Sequence, residues 1–67
     1  MEITINNQSV HFEKQPLLEE LVLSFTSGKI NGIAVALNGK VIAKEQWTAT
    51  LVNTSDNVLI ITATQGG

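Results

Sequence analysis

The sequence predicts an α+β fold in which a single helix packs on a mixed sheet of four to five strands. Three patterns predict it. Apolar residues alternate at Met1, Ile3 and Ile5 and again at Val10 and Phe12; a stripe spaced by threes and fours runs through Leu17, Leu18, Leu21, Val22 and Phe25; and two short β-rich runs, 33–37 and 58–64, stand among turn residues. With 67 residues the chain is one domain that buries only about 60% of its unfolded surface, enough for one small core and too little for a deep, walled active site.

The elements follow in order. Met1, Ile3 and Ile5 alternate with Glu2 and Thr4, the pattern of a strand with one covered face. Asn6-Asn7-Gln8 turns the chain, and Val10 and Phe12, alternating with Ser9, His11 and Glu13, return it as an antiparallel hairpin partner. The helix is expected over about 16–25: Pro16 suits the first turn, where its missing N–H is no loss, and Glu19 and Glu20 sit near the positive end of the helix dipole. Thr26-Ser27-Gly28 supplies the stop, with Gly28 taking the left-handed conformation.

Residues 33–37 form an unbroken apolar run expected to be a strand covered on much of both faces. Asn38-Gly39 matches the positive φ angles of a type I′ turn, so 40–42 should pair back against it. A short helical turn is expected over 44–47, with Trp47 as a lid on the core or a binding residue, then a polar loop over 48–57 and a last strand over 58–64. One sheet covering one helix stripe, with the first and last strands side by side and parallel, is a β-grasp. The expected division is a domain over 1–64 and a flexible tail, Gln65-Gly66-Gly67.

Composition removes several functions. Four basic residues against six acidic ones leave a net charge of -2, so no basic face exists to release counterions from nucleic acid. The absence of Cys excludes a disulfide framework, a thiolate zinc site and a cysteine nucleophile, and points to the cytoplasm. No secretory signal or membrane-length apolar run is present, so Asn7-Gln8-Ser9 and Asn53-Thr54-Ser55 read as turns rather than glycosylation sites. His11 is the single histidine, on the polar side of its strand, with no second ligand to complete a metal site. Glu19 and Glu20, being adjacent on a helix, cannot face each other as an acid and base pair. Ser27-Gly28-Lys29 lacks the preceding glycine and the following hydroxyl of a phosphate loop and reads as a helix stop. No catalytic residue is expected, and the chain itself is not an enzyme.

The carboxyl end remains. Gly66 and Gly67 follow a strand that anchors them, have no Cβ to obstruct a narrow channel, and reach conformations closed to other residues. Four residues starting at Thr64 extend about 13 Å, enough to put the Gly67 carboxylate inside another protein's active site while the domain stays outside. A carboxylate is a poor electrophile until activated. Adenylation by ATP makes one oxygen a good leaving group, and a sulfur nucleophile then displaces AMP to leave a thiocarboxylate on Gly67.

The segments 32–39 (GIAVALNG), Glu45-Gln46-Trp47, and 56–61 (DNVLII) leading to Gly66-Gly67 together resemble the ThiS family of sulfur carriers in thiamine biosynthesis, over essentially the whole chain. The resemblance implies a ubiquitin-like β-grasp, adenylation by an E1-like enzyme of the ThiF type, sulfur from a donor system, and delivery to thiazole synthase of the ThiG type. No cofactor is expected on this chain; ATP is used by the adenylating partner, and no membrane partner is expected. The chain departs from the family at Ala43-Lys44, where Pro-Arg is frequent, at Ser55, where Gly is frequent, and at Gln15-Pro16, where a Thr often opens the helix. By analogy with ubiquitin-like domains, Val58 and Ile60 enter the core while Leu59, Ile61 and Ala63 face a partner. Two alternatives remain: the small subunit of molybdopterin synthase, which ends in the same Gly-Gly, and a ubiquitin-like interaction module whose terminus does no chemistry.

Overall fold

The computed structural model describes residues 1–62. Its elements are β1 (Glu2–Ile5), β2 (Gln8–His11), α1 (Leu18–Thr26), β3 (Ile33–Leu37), β4 (Lys40–Ile42), a 3₁₀ helix (Lys44–Ala49) and β5 (Asn57–Thr62). The strands form one mixed sheet in the order β2-β1-β5-β3-β4. As expected, β1 pairs antiparallel with β2 and β3 with β4, while β1 and β5, first and last in the chain, lie side by side and parallel. The central strand, β5, is therefore flanked by a parallel and an antiparallel neighbour. This is a β-grasp.

One face of the sheet carries the core. Ile3 and Ile5 of β1, Val35 of β3, and Val58 and Ile60 of β5 meet Leu18, Leu21 and Val22 of α1, with Trp47 and Val52 closing the end. Each is under a tenth exposed, and burial of such side chains contributes about 1.5–3 kcal/mol apiece. Trp47 is 2% exposed and donates its indole N–H to the Ile42 carbonyl at 3.1 Å. It is part of the core itself, more than the lid expected of it. The surrounding 3₁₀ helix is also two residues longer than the turn over 44–47.

Several boundaries differ from the sequence reading, each for a tertiary reason. The helix begins at Leu18 because Leu17 is extended, with φ -74° and ψ 151°. Pro16 and Leu17 are instead tied to the 48–57 segment: the Pro16 carbonyl accepts from Val52 N–H at 3.0 Å, Leu17 bridges to Leu51, and Leu18 N–H reaches the Thr50 carbonyl at 2.7 Å. Glu20 adds a local contact, its carboxylate accepting the Leu17 amide at 3.0 Å, so its role goes beyond the dipole.

Phe25, placed on the buried stripe by its spacing, is 42% exposed; it lies over a cleft with Lys29, Ile33 and Thr62 that leaves much of its ring uncovered. The left-handed helix stop comes one residue early, at Ser27 (φ 58°), and Gly28 (φ 84°) follows with its N–H on the Leu23 carbonyl. Thr26 extends the helix by one residue, its hydroxyl donating to the Val22 carbonyl. Strand β3 packs against the core on one face only: on the other, Ala34 is exposed and Ala36 half-buried. The polar loop at 48–57 contains a core residue, Val52 at 0% exposure. Finally, β5 starts at Asn57 rather than 58, while the expected end of the strand at 64 and the boundary to the tail lie outside the described residues.

Candidate functional site

A β-sheet has two faces, and α1 covers only one. Side chains alternate along a strand, so the residues between the core positions of β3, β4 and β5 fall on the other face. Register then brings them together: Ala36 pairs with Leu59 on one side and with Val41 on the other, and Ala34 pairs with Ile61. The result is a row Val41, Ala36, Leu59 running across three strands, with Ala34 and Ile61 beside it. Val41 is 73% exposed, Leu59 44% and Ile61 51%. Small alanines between larger aliphatics leave a shallow apolar surface, uncovered by any other part of the described residues.

The structure thus puts Leu59 and Ile61 where the sequence reading expected them, with Val58 and Ile60 on the opposite, buried side. Ala63, Gln65, Gly66 and Gly67, the other residues singled out for partner binding and for chemistry, lie outside the described residues. Val41 was missed, although a signal existed: an Asn38-Gly39 hairpin with a two-residue loop pairs Leu37 with Lys40 and hence Ala36 with Val41.

The strand that carries this surface is held at both ends by asparagine side chains. At its start Asn57 N–H donates to Asn38 Oδ1 at 2.8 Å. Towards its end Ile60 N–H donates to Asn6 Oδ1 at 2.7 Å, and Asn6 Nδ2 donates to the Ile60 carbonyl at 3.2 Å. Neither contact is visible as a sequence motif, because each depends on two chain segments meeting.

Among the described residues, the titratable groups elsewhere form no catalytic set. His11 remains at the surface, with Nδ1 at 2.7 Å from Glu2 Oε2 and Nε2 at 3.3 Å from Glu13 Oε2. Hydrogen bonds from His11 first and Ser9 second hold the Glu2 carboxyl below the usual glutamate range. Among the described residues no group of three or more His, Cys, Asp or Glu side chains could hold a metal ion, and no helix is long and apolar enough to cross a membrane.

Comparison with known proteins extends these observations. The family model for ThiS matches residues 2–67. The crystal structure of the thiamine biosynthesis protein (ThiS) from Geobacter metallireducens superposes with a TM-score of 0.84 at 26% identity, the match covering all of both chains. The solution structure of a thiamine biosynthesis protein from the same organism gives a TM-score of 0.81 at 28% identity, covering all of this chain and 88% of that one. No curated protein sequence matches significantly. A family match across nearly the whole length, on the β-grasp fold that the resemblance implied, leads to one conclusion: the chain belongs to the ThiS family.

Proposed function

We propose that this chain is a sulfur carrier for the thiazole of thiamine, with the carboxylate of Gly67 as its reacting group. The observation that carries the reading is the apolar surface on β5: Leu59 and Ile61 lie exposed on the strand whose sequence runs on into Gly66-Gly67. A partner that docks there meets the tail at its base. Ala63 is assigned to the same contact.

The chemistry has two steps. A Gly67 carboxylate oxygen attacks the α-phosphorus of ATP held by a ThiF-type adenylating enzyme, forming an acyl adenylate and releasing pyrophosphate. A hydrosulfide equivalent from the sulfur donor system then adds to the carbonyl carbon. AMP departs with the original carboxylate oxygen, and the proton of the incoming sulfur is lost to solvent, leaving a thiocarboxylate. Sulfur is then passed to a ThiG-type thiazole synthase. This chain supplies no catalytic group and binds no cofactor; it positions its own main-chain terminus, and an ATP-dependent step fits a cytoplasmic location.

The test is direct. The chain is incubated with ATP, a ThiF-type enzyme and a sulfur donor, and its intact mass is followed. The expected result is a gain equal to one sulfur less one oxygen, abolished by deletion of Gly67 and reversed on addition of a ThiG-type synthase and its substrates. Function in thiazole formation that survives deletion of Gly67 overturns the reading and supports an interaction module.

A further inference from the structure

Strand β1 ends at Ile5, whereas β5, its parallel neighbour, continues to Thr62. The ladder between them includes Thr4 N–H to the Asp56 carbonyl at 3.0 Å and Asn6 N–H to the Val58 carbonyl at 2.9 Å. In a regular parallel ladder a residue that donates to one partner carbonyl accepts from the amide two residues further on, so the next rung would join Ile60 N–H to the Asn6 carbonyl. The turn prevents this. Asn6 has φ 49° and Asn7 φ 68°, and this left-handed pair turns the backbone away into β2.

The Asn6 side chain takes the place of the missing main chain. Its Oδ1 accepts the Ile60 amide at 2.7 Å and its Nδ2 donates to the Ile60 carbonyl at 3.2 Å. A carboxamide has the acceptor and donor of one peptide group, so it extends the ladder past the point where β1 has turned. Few residues could do so. Asn tolerates the left-handed region better than other side chains; Asp has no donor, Gln is a methylene longer, and Gly has neither group. Ile60 stands one residue before Ile61 and two before Thr62, the last residue of β5, so this clamp holds the β1 flank of the strand beside the exposed surface.

We propose that Asn6 is a positioning residue for the tail: its carboxamide pins the end of β5, so that Gly67 reaches the adenylating partner in a constant relation to the surface at Leu59 and Ile61. The inference rests on the sulfur-carrier reading. On the β3 side the strand stays paired through Ile33 with Thr62, Ala34 with Ile61 and Ala36 with Leu59, so loss of the clamp leaves docking intact and frees only the β1 flank of the strand that leads to the tail.

Asn6→Gly keeps the left-handed backbone and removes both bonds; Asn6→Asp keeps the acceptor alone. In Asn6→Gly, exchange of the Ile60 amide measured by NMR is expected to rise about tenfold. Adenylation by a ThiF-type enzyme, followed as pyrophosphate release at a temperature where the chain is fully folded, is expected to lose roughly tenfold or more in kcat with KM for this chain unchanged. Asn6→Asp should recover protection at Ile60 and part of kcat. A lower unfolding midpoint with kcat unchanged would mean a merely structural role and overturns the proposal, as does a rise in KM alone. If Asn6→Gly does not fold, Asn6→Asp decides: its kcat must fall below wild type, and equality overturns the proposal. A wild-type chain that takes no adenylate overturns the carrier reading instead, and the Ile60 exchange then reports the clamp by itself.

Discussion

Asn38 and Asn57 join β3 to β5 through one backbone rung and one side-chain rung. The Asn38 amide donates to the Asn57 carbonyl at 2.7 Å, and the Asn57 amide donates to Asn38 Oδ1 at 2.8 Å. Asn38 Nδ2 goes on to Asp56 Oδ1 at 3.0 Å. The turn explains the substitution of side chain for main chain: with φ 52° at Asn38 and 85° at Gly39, the backbone leaves the ladder at this residue. Asn6 does the same on the parallel side of β5. The central strand is thus fastened on both flanks by residues that the sequence marks only as turns.

Replacing Asn38 separates turn from fastening. Asn38→Gly keeps the positive φ and loses the side-chain bonds, at an expected cost of about 1 kcal/mol. Asn38→Ala should cost roughly 1 kcal/mol more, because it also forces a Cβ into the left-handed region. Urea unfolding checks both as shifts of midpoint at constant slope; equal stability of the two variants would show that the turn geometry carries no weight.

Trp47 fills the end of the core at 2% exposure. Trp47→Ala should lose about 3–5 kcal/mol, much of the ~5 kcal/mol a domain this small can be expected to have. Trp47→Phe is expected to remain folded but to lose about 1–2 kcal/mol, since the indole N–H bond to the Ile42 carbonyl is lost. Circular dichroism with urea titration distinguishes them. A Phe variant as unstable as the Ala variant would place the weight on the indole N–H rather than on volume.

Ile61 and Val41 are more than half exposed, so Ile61→Asp and Val41→Asp should each change stability by no more than about 1 kcal/mol. If their face docks the adenylating partner, each should raise KM for this chain by at least about tenfold. Steady-state pyrophosphate release measures the effect. Unchanged KM in both variants would remove the sheet face from the contact.

Glu2 sets a dependence on pH. Its carboxyl is held below the ordinary glutamate range by His11 first and Ser9 second. A depressed folded value stabilises the fold above the unfolded carboxylate pKa of about 4.3, and the contribution is lost as pH falls through the lower folded value. Glu2→Gln should therefore be less stable than wild type near about pH 6, and the gap should close as the pH falls below the unfolded carboxylate value. Denaturant midpoints across that range check the sign, and a gap that widens on acidification contradicts it.

Much of this molecule can be read locally. The alternation of Ile3 with Ile5, the stripe at Leu18, Leu21 and Val22, and the Asn38-Gly39 turn each declare a strand, a helix face or a hairpin through periods and torsions that a few neighbouring residues impose. The exposure of Leu59 and Ile61 follows once Val58 and Ile60 point inward, because strand side chains alternate. What escaped depended on distant segments meeting. Val52 enters the core only because Pro16 receives its amide, and Leu17 stays out of the helix because it bridges to Leu51. Phe25 keeps the spacing of a buried residue yet lies over a cleft.

The sequence by itself determined which segments are strand, helix or turn, along with the chemical character of the last residues, since these depend on local geometry and on atoms each residue always carries. Tertiary structure alone decided where the helix starts, that Val52 enters the core, and that Asn6 and Asn38 lend their side chains to β5. Those outcomes require segments up to 54 positions apart to come within hydrogen-bond reach, and no local pattern encodes that distance.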